Sequence, residues 1–122
     1  MKPNLKIIGF LGATAVMLGA LGAHALKGLI SADSLSSFKT GVLYMLINGI
    51  GLLLLAQKQK SFAFTLILMG TLMFSLSIFG LSTRIIWTSP DNLTFLGPVT
   101  PLGGLFMIAG WMYAAWQFFK EN

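Results

Sequence analysis

The chain has 122 residues, of which 56% are hydrophobic and only 9% charged, with a mean hydropathy of +0.84. Soluble domains carry about a quarter charged residues, so this composition excludes a soluble globular protein and points to an integral membrane protein. Eight basic against three acidic side chains give a net charge of +5, but they stand singly between apolar runs, which is topological information and no nucleic-acid footprint.

The absence of cysteine removes disulfides, thiolate metal ligation and thiol catalysis together. The first apolar run, about 7–27, has the twenty or so residues that cross a hydrocarbon core of roughly 30 Å. Its start and the small-x-small triplet Ala23-His24-Ala25 mimic a secretory signal, but signal h-regions are only about 7–15 residues long, so a permanent helix is expected. At 100° per residue Gly9, Gly12, Ala13, Gly19, Ala20 and Ala23 share a face, and in lipid a small face is an interhelical seam. His24, the single histidine, sits at the edge of that face, Lys27 follows near the carbonyl end where positive charge is favoured, and Gly28 can terminate the helix.

Asp33 or Ser34 can cap a second helix over about 34–56, on which Thr40, Tyr44 and Asn48 recur every four residues. An unpaired amide in hydrocarbon costs a few kcal/mol, about 2–7 by reference state, so Asn48 should face another helix. The polar tetrad Gln57-Lys58-Gln59-Lys60 is short enough to force an antiparallel hairpin. The third helix, about 61–83, gathers Thr71, Ser75, Ser77 and Gly80 toward its far end, before Arg84 and Trp87 mark the interface. After a turn-rich segment at 89–94, Thr100 can cap and Pro101 can open a fourth helix over about 101–119. Gly103, Gly110 and Ala114 line one face of it.

The expected architecture is therefore an all-α, up-down bundle of four transmembrane helices in a single domain, residues 1–122. Lys2, Lys6, Lys58, Lys60 and Lys120 fall on one side and Lys27, Lys39 and Arg84 on the other, so the positive-inside rule places both termini in the cytoplasm.

Gly-Ala-Leu-Gly-Ala-His-Ala-Leu-Lys at 19–27, Phe-Lys-Thr-Gly-Val-Leu-Tyr at 38–44, Leu-Gly-Pro-Val-Thr-Pro-Leu-Gly-Gly at 96–104 and Gly110-Trp111 together resemble the DUF423 family, related to eukaryotic transmembrane protein 256. The resemblance covers nearly the whole chain. It implies a small multi-pass protein of the bacterial plasma or inner membrane and no established activity. Members of the family commonly have a histidine in the second helix where this chain has Asn48.

Two functional readings follow. One is a structural or accessory protein that packs with a membrane partner or with copies of itself through glycine faces such as Gly12, Gly19, Ala23, Gly103 and Gly110. The other is an oligomeric transporter or channel with an outward-facing polar pocket around His24, built from Lys27, Tyr44, Asn48, Ser75, Ser77, Arg84 and Thr100. Against the second, Asp33, Asp91 and Glu121 all lie outside the spans, whereas small four-helix drug exporters resemble one another in having a glutamate within the first helix. Ser75, Ser77 or Ser82 could meet His24 as nucleophile and base, but no Gly-x-Ser-x-Gly elbow is present. A metal site needs three or four ligands, which one histidine without cysteine does not supply. Neither enzymatic activity nor a cofactor or metal is expected, and the partners are the lipid bilayer and other membrane chains, with no nucleic acid.

Overall fold

The computed structural model describes residues 2–89 and 91–121, with side chains from Asn4 onward. Pro90 of the turn-rich segment and the Lys2 side chain counted in the charge pattern lie outside the described residues. Four long helices follow one another: α1 (Lys2–Ala23), α2 (Ala32–Gln57), α3 (Ser61–Trp87) and α4 (Val99–Glu121), with a 3-10 turn at Thr94–Leu96. All four are long and apolar enough to cross a bilayer, and helices meet the demand that every backbone polar group in hydrocarbon be satisfied within the segment.

The helix ends obey local chemistry that differs in detail from the expectation. The cap of α2 is Ser31, whose hydroxyl accepts from the Ser34 amide, and not Asp33 or Ser34. Asp33 instead sits in the first turn, where a carboxylate complements the helix dipole. α4 starts at Val99, two residues before Pro101, and Thr100 does not cap it. A proline is tolerated there because first-turn amides have no intrahelical acceptor. The 57–60 connection is a Schellman turn: the Lys60 amide donates to the Leu55 carbonyl and the Gln59 amide to that of Ala56. Gln59 takes the left-handed position at φ 55° that glycine usually occupies.

α2 and α3 form the central hairpin. On α2, Phe38 and Val42 meet α1 at Gly22 and Gly19, Gly41 meets Phe79 of α3, and Asn48 reaches both α3 and α4. By helical register these faces lie side by side, so α1 and α4 flank the seat of α3. The tightest seam is α3 against α4. A Cβ on Gly70 would lie 2.7 Å from the Gly103 carbonyl oxygen, and one on Gly103 2.5 Å from the Phe74 amide nitrogen. Gly103, Met107, Gly110 and Ala114 are the buried residues of α4, a narrow stripe repeating at i, i+4, i+7 and i+11. Small residues there bring two backbones into contact, which is how helices associate in a solvent as apolar as themselves.

The face expected on α1 requires correction. Its buried residues are Leu11, Ala15 and Gly22, continued by Leu26 just past the helix end. Gly19 borders this stripe, with Val42 Cγ1 3.5 Å from where its Cβ would be. Gly12 has nothing within 4 Å of such a Cβ, and Ala23 is exposed. α1 packs on α2 through Leu11, Ala15 and Gly22, the last receiving Phe38, while most of the small face turns out together with Phe10, Val16 and Met17.

Candidate functional site

The polar side chains expected to form one outward network divide into separate groups. The centre of the bundle holds Asn48, only 2% exposed. Its amide nitrogen donates to Thr71 Oγ1 and to Met107 Sδ, each at 2.9 Å, while its carbonyl oxygen accepts from Trp111 Nε1 at 3.0 Å. Thr71 passes its own proton to the Ile67 carbonyl. One amide thus ties α2, α3 and α4 together with both its donors used. Asn48 is seventeenth of the 26 residues of α2, nearer the middle of the span than the outward end where it had been grouped.

Ser75 donates to the Gly41 carbonyl of α2 at 2.8 Å, an approach that needs the side-chain-free backbone of Gly41. Ser77 faces α4, where its hydroxyl pairs with that of Thr100. Both serines are buried, so each acts as an interhelical clasp.

His24 and Lys27 stand apart. Both are exposed, and neither side chain makes a hydrogen bond among the described residues. The reason is register: at 100° per residue His24 lies nearly opposite the stripe containing Gly22 and Leu26, and Leu26, 5% exposed, takes the buried position of the connecting loop. Gly28 at φ 90° completes that loop. Arg84 also leaves the network, donating to the Asn92 carbonyl of the loop before α4. The grouping of His24, Lys27 and Arg84 with Tyr44, Asn48, Ser75, Ser77 and Thr100 is therefore not what the structure forms.

Two of the cavities among the described residues adjoin these polar groups. A groove of about 580 Å³ runs between the starts of α2 and α4 and the end of α3, lined by Ser37, Thr40, Ser82 and Thr100 among others. The Thr40 and Ser82 hydroxyls are spent on the carbonyls of Ser36 and Ile78, the usual way such residues behave in membrane helices. A cleft of about 360 Å³ opens between α2 and α4, with Tyr44, Phe74, Met107 and Trp111 as walls and Asn48 at its base. The cleft was not legible in the sequence because its walls come from three helices: Tyr44 and Asn48 from α2, Phe74 from α3, and Met107 and Trp111 from α4.

A hairpin of apolar helices flanked by two more, clasped by a few buried hydroxyls and one amide, defines a small multi-pass membrane protein with no recognisable reaction centre among its described residues. The chain belongs to the DUF423 family, described as proteins of unknown function, whose family model matches residues 18–104. It is 31% identical to a UPF0382 membrane protein of Staphylococcus haemolyticus, over 95% of this chain and 98% of that protein. The corresponding figures are 35%, 88% and 92% for the UPF0382 membrane protein YwdK of Bacillus subtilis, and 32%, 97% and 94% for one from Haemophilus influenzae. No solved structure matches. It is a membrane protein of the bacterial cell membrane, and its relatives carry no assigned activity.

Proposed function

We propose that the protein is a non-enzymatic accessory component that packs against another membrane chain, or a second copy of itself, through the outer face of α1. The observation that carries this reading is that Asn48, Thr71, Ser75, Ser77 and Trp111 all spend side-chain hydrogen bonds on protein partners inside the bundle. A transport path needs polar groups free to exchange partners with a solute. Here Asp33 and Glu121 lie at helix ends and Asp91 in a loop, so a proton-coupled exporter would also lack its coupling carboxylate.

α1 is held along one side only, and Gly9 and Gly12 on its outer side have open space beside them. A partner backbone can approach there as closely as α4 approaches α3. The test is site-specific photo-crosslinking in the native membrane. A photoreactive residue at Gly12 is expected to capture one discrete protein band, whereas one at Ile50, on a lipid-facing side of α2 and 73% exposed, captures none. Lipid adducts alone at both positions would refute the reading.

We further propose that both termini lie in the cytoplasm. Lys60 pairs with Glu121, so the α2–α3 turn and the end of α4 share the side that carries more of the lysines. A periplasm-only reporter fused after residue 122 should be inactive and one inserted at Gly28 active; the reverse pattern would invert the orientation.

A further inference from the structure

The α2–α4 cleft contains a polar group that the fold leaves unused. Tyr44 is the thirteenth of the 26 residues of α2, which puts it at mid-span, and a phenol ring is too short to cross the remaining half-thickness of roughly 15 Å to the headgroups. Its ring packs edge-on against Phe74 at 5.0 Å between centroids, yet its hydroxyl makes no hydrogen bond among the described residues. In hydrocarbon that is a costly state for a donor. The neighbouring hydroxyls at Thr71, Ser75 and Ser77 all find protein acceptors, so Tyr44 is the exception. Asn48 Oδ1, at the base of the cleft, accepts one bond from Trp111, and a carbonyl oxygen has a second lone pair.

The cleft of about 360 Å³ is at the small end of ligand sites, and its mouth lies on the lipid-facing surface, where Tyr44 is 41% and Met112 68% exposed. Its walls are aromatic rings and thioethers, from Tyr44, Phe74, Trp111, Met107 and Met112. Such walls favour a flat conjugated ring through edge and stacking contacts and sulfur–aromatic contacts. The occupant must come from the bilayer interior and must bring an acceptor for the phenol. An acyl chain brings none at this depth.

We propose that the cleft between α2 and α4 binds the ring of an isoprenoid quinone, with the Tyr44 hydroxyl donating to one ring carbonyl and the prenyl tail leaving toward lipid between the two helices. Tyr44 is the specificity group because it is the only wall residue that separates a carbonyl-bearing ring from a plain hydrocarbon. This binding site goes beyond the packing role proposed above and does not depend on it.

The test uses the full chain in nanodiscs with Trp87 and Trp116 replaced by phenylalanine, leaving Trp111 as the reporter. Titration with a 1,4-naphthoquinone carrying a short prenyl chain should quench Trp111 saturably. Tyr44→Phe, which keeps the ring contact with Phe74, should weaken binding about three- to tenfold, the value of one neutral hydrogen bond. Gly104→Leu, placed in the cleft wall where the nearest atom, Phe74 Cδ2, is 3.9 Å from a Cβ, should abolish saturation while the helical circular dichroism persists. Quenching that rises linearly, or that is unchanged in Tyr44→Phe, would overturn the proposal. So would equally tight competition by a prenyl alcohol without the ring, which would make the cleft an acyl groove, or a Tyr44-centred crosslink to a second copy. None of these outcomes bears on the α1 crosslinks.

Discussion

Gly103→Ala is expected to destabilise the protein in detergent by roughly 1–3 kcal/mol, the ordinary range for overpacking, while Gly12→Ala shifts the melting temperature little. The added methyl at 103 would sit 2.5 Å from the Phe74 amide nitrogen and 2.8 Å from the Gly70 carbonyl oxygen. These are backbone atoms of α3, which no rotamer change can move, so α3 and α4 must separate along the seam. Gly70→Ala meets the Met107 amide nitrogen at 2.6 Å from the other side and should cost about the same. Because both methyls force the same separation, the double substitution should cost less than the sum of the two. At Gly12 nothing lies within 4 Å. Equal melting temperatures for Gly103→Ala and Gly12→Ala in the purified monomer would mean that the α3–α4 seam is not where the helices are closest.

The second large effect is expected at Asn48. Asn48→Leu removes the acceptor of the Trp111 indole N–H and the donor to Thr71 and Met107 at once. Thr71 keeps its bond to Ile67, so the orphan that matters is the indole. A buried unsatisfied donor costs about 1–3 kcal/mol, and side-chain hydrogen bonds measured in membranes are weaker, about 0.6 on average and about 1.7 at most. A destabilisation of about 1–2 kcal/mol is therefore expected. Trp111→Phe removes the indole donor itself, so Asn48→Leu made in that background leaves no orphaned N–H and should be the milder change. A double-mutant cycle by thermal melting measures the difference, and a coupling energy near zero would show that the indole finds another acceptor.

Both expectations depend on which helix faces meet, and the sequence was unequally informative about that. On α4 the small residues Gly103, Gly110 and Ala114 recur at helical spacing and do form the buried stripe. On α1 the same kind of pattern pointed to Gly12 and Ala23, which the structure leaves in open surroundings. The difference is the partner. α3 offers α4 a glycine, Gly70, so two backbones can touch, whereas α2 offers α1 the side chains of Phe38 and Val42, with Gly22 and Gly19 making room for them. A stripe of small residues says that a close approach is allowed and leaves open which neighbour makes it.

The polar residues divide in the same manner. That Asn48 should find a partner followed from the cost of an amide in hydrocarbon, but that Trp111, Thr71 and Met107 would supply its bonds required three helices to be placed at one depth. His24 had seemed central because it is the single imidazole in the chain, yet register turns it away from the buried stripe of α1. An ionisable side chain near a helix end has water within reach and needs no protein partner, so composition alone does not draw it inward.

What the sequence by itself determined is the set of properties that a bilayer imposes on any chain: four apolar segments long enough to cross, helical because lipid offers the backbone no hydrogen bonds, and connected by links so short that neighbours run antiparallel. The length, periodicity and polarity that carry this information are local. What only the tertiary structure decided is which face of each helix turns inward, and with it the closed Asn48 centre, the exclusion of His24 and the cleft beside Tyr44. In lipid an apolar side chain gains little by moving from the bilayer to the protein interior, so hydropathy does not distinguish the two faces of a span. The choice falls to shape, to the fit of Gly70 against Gly103 and of Gly22 against Phe38, and shape complementarity exists only between segments that the fold has already brought together.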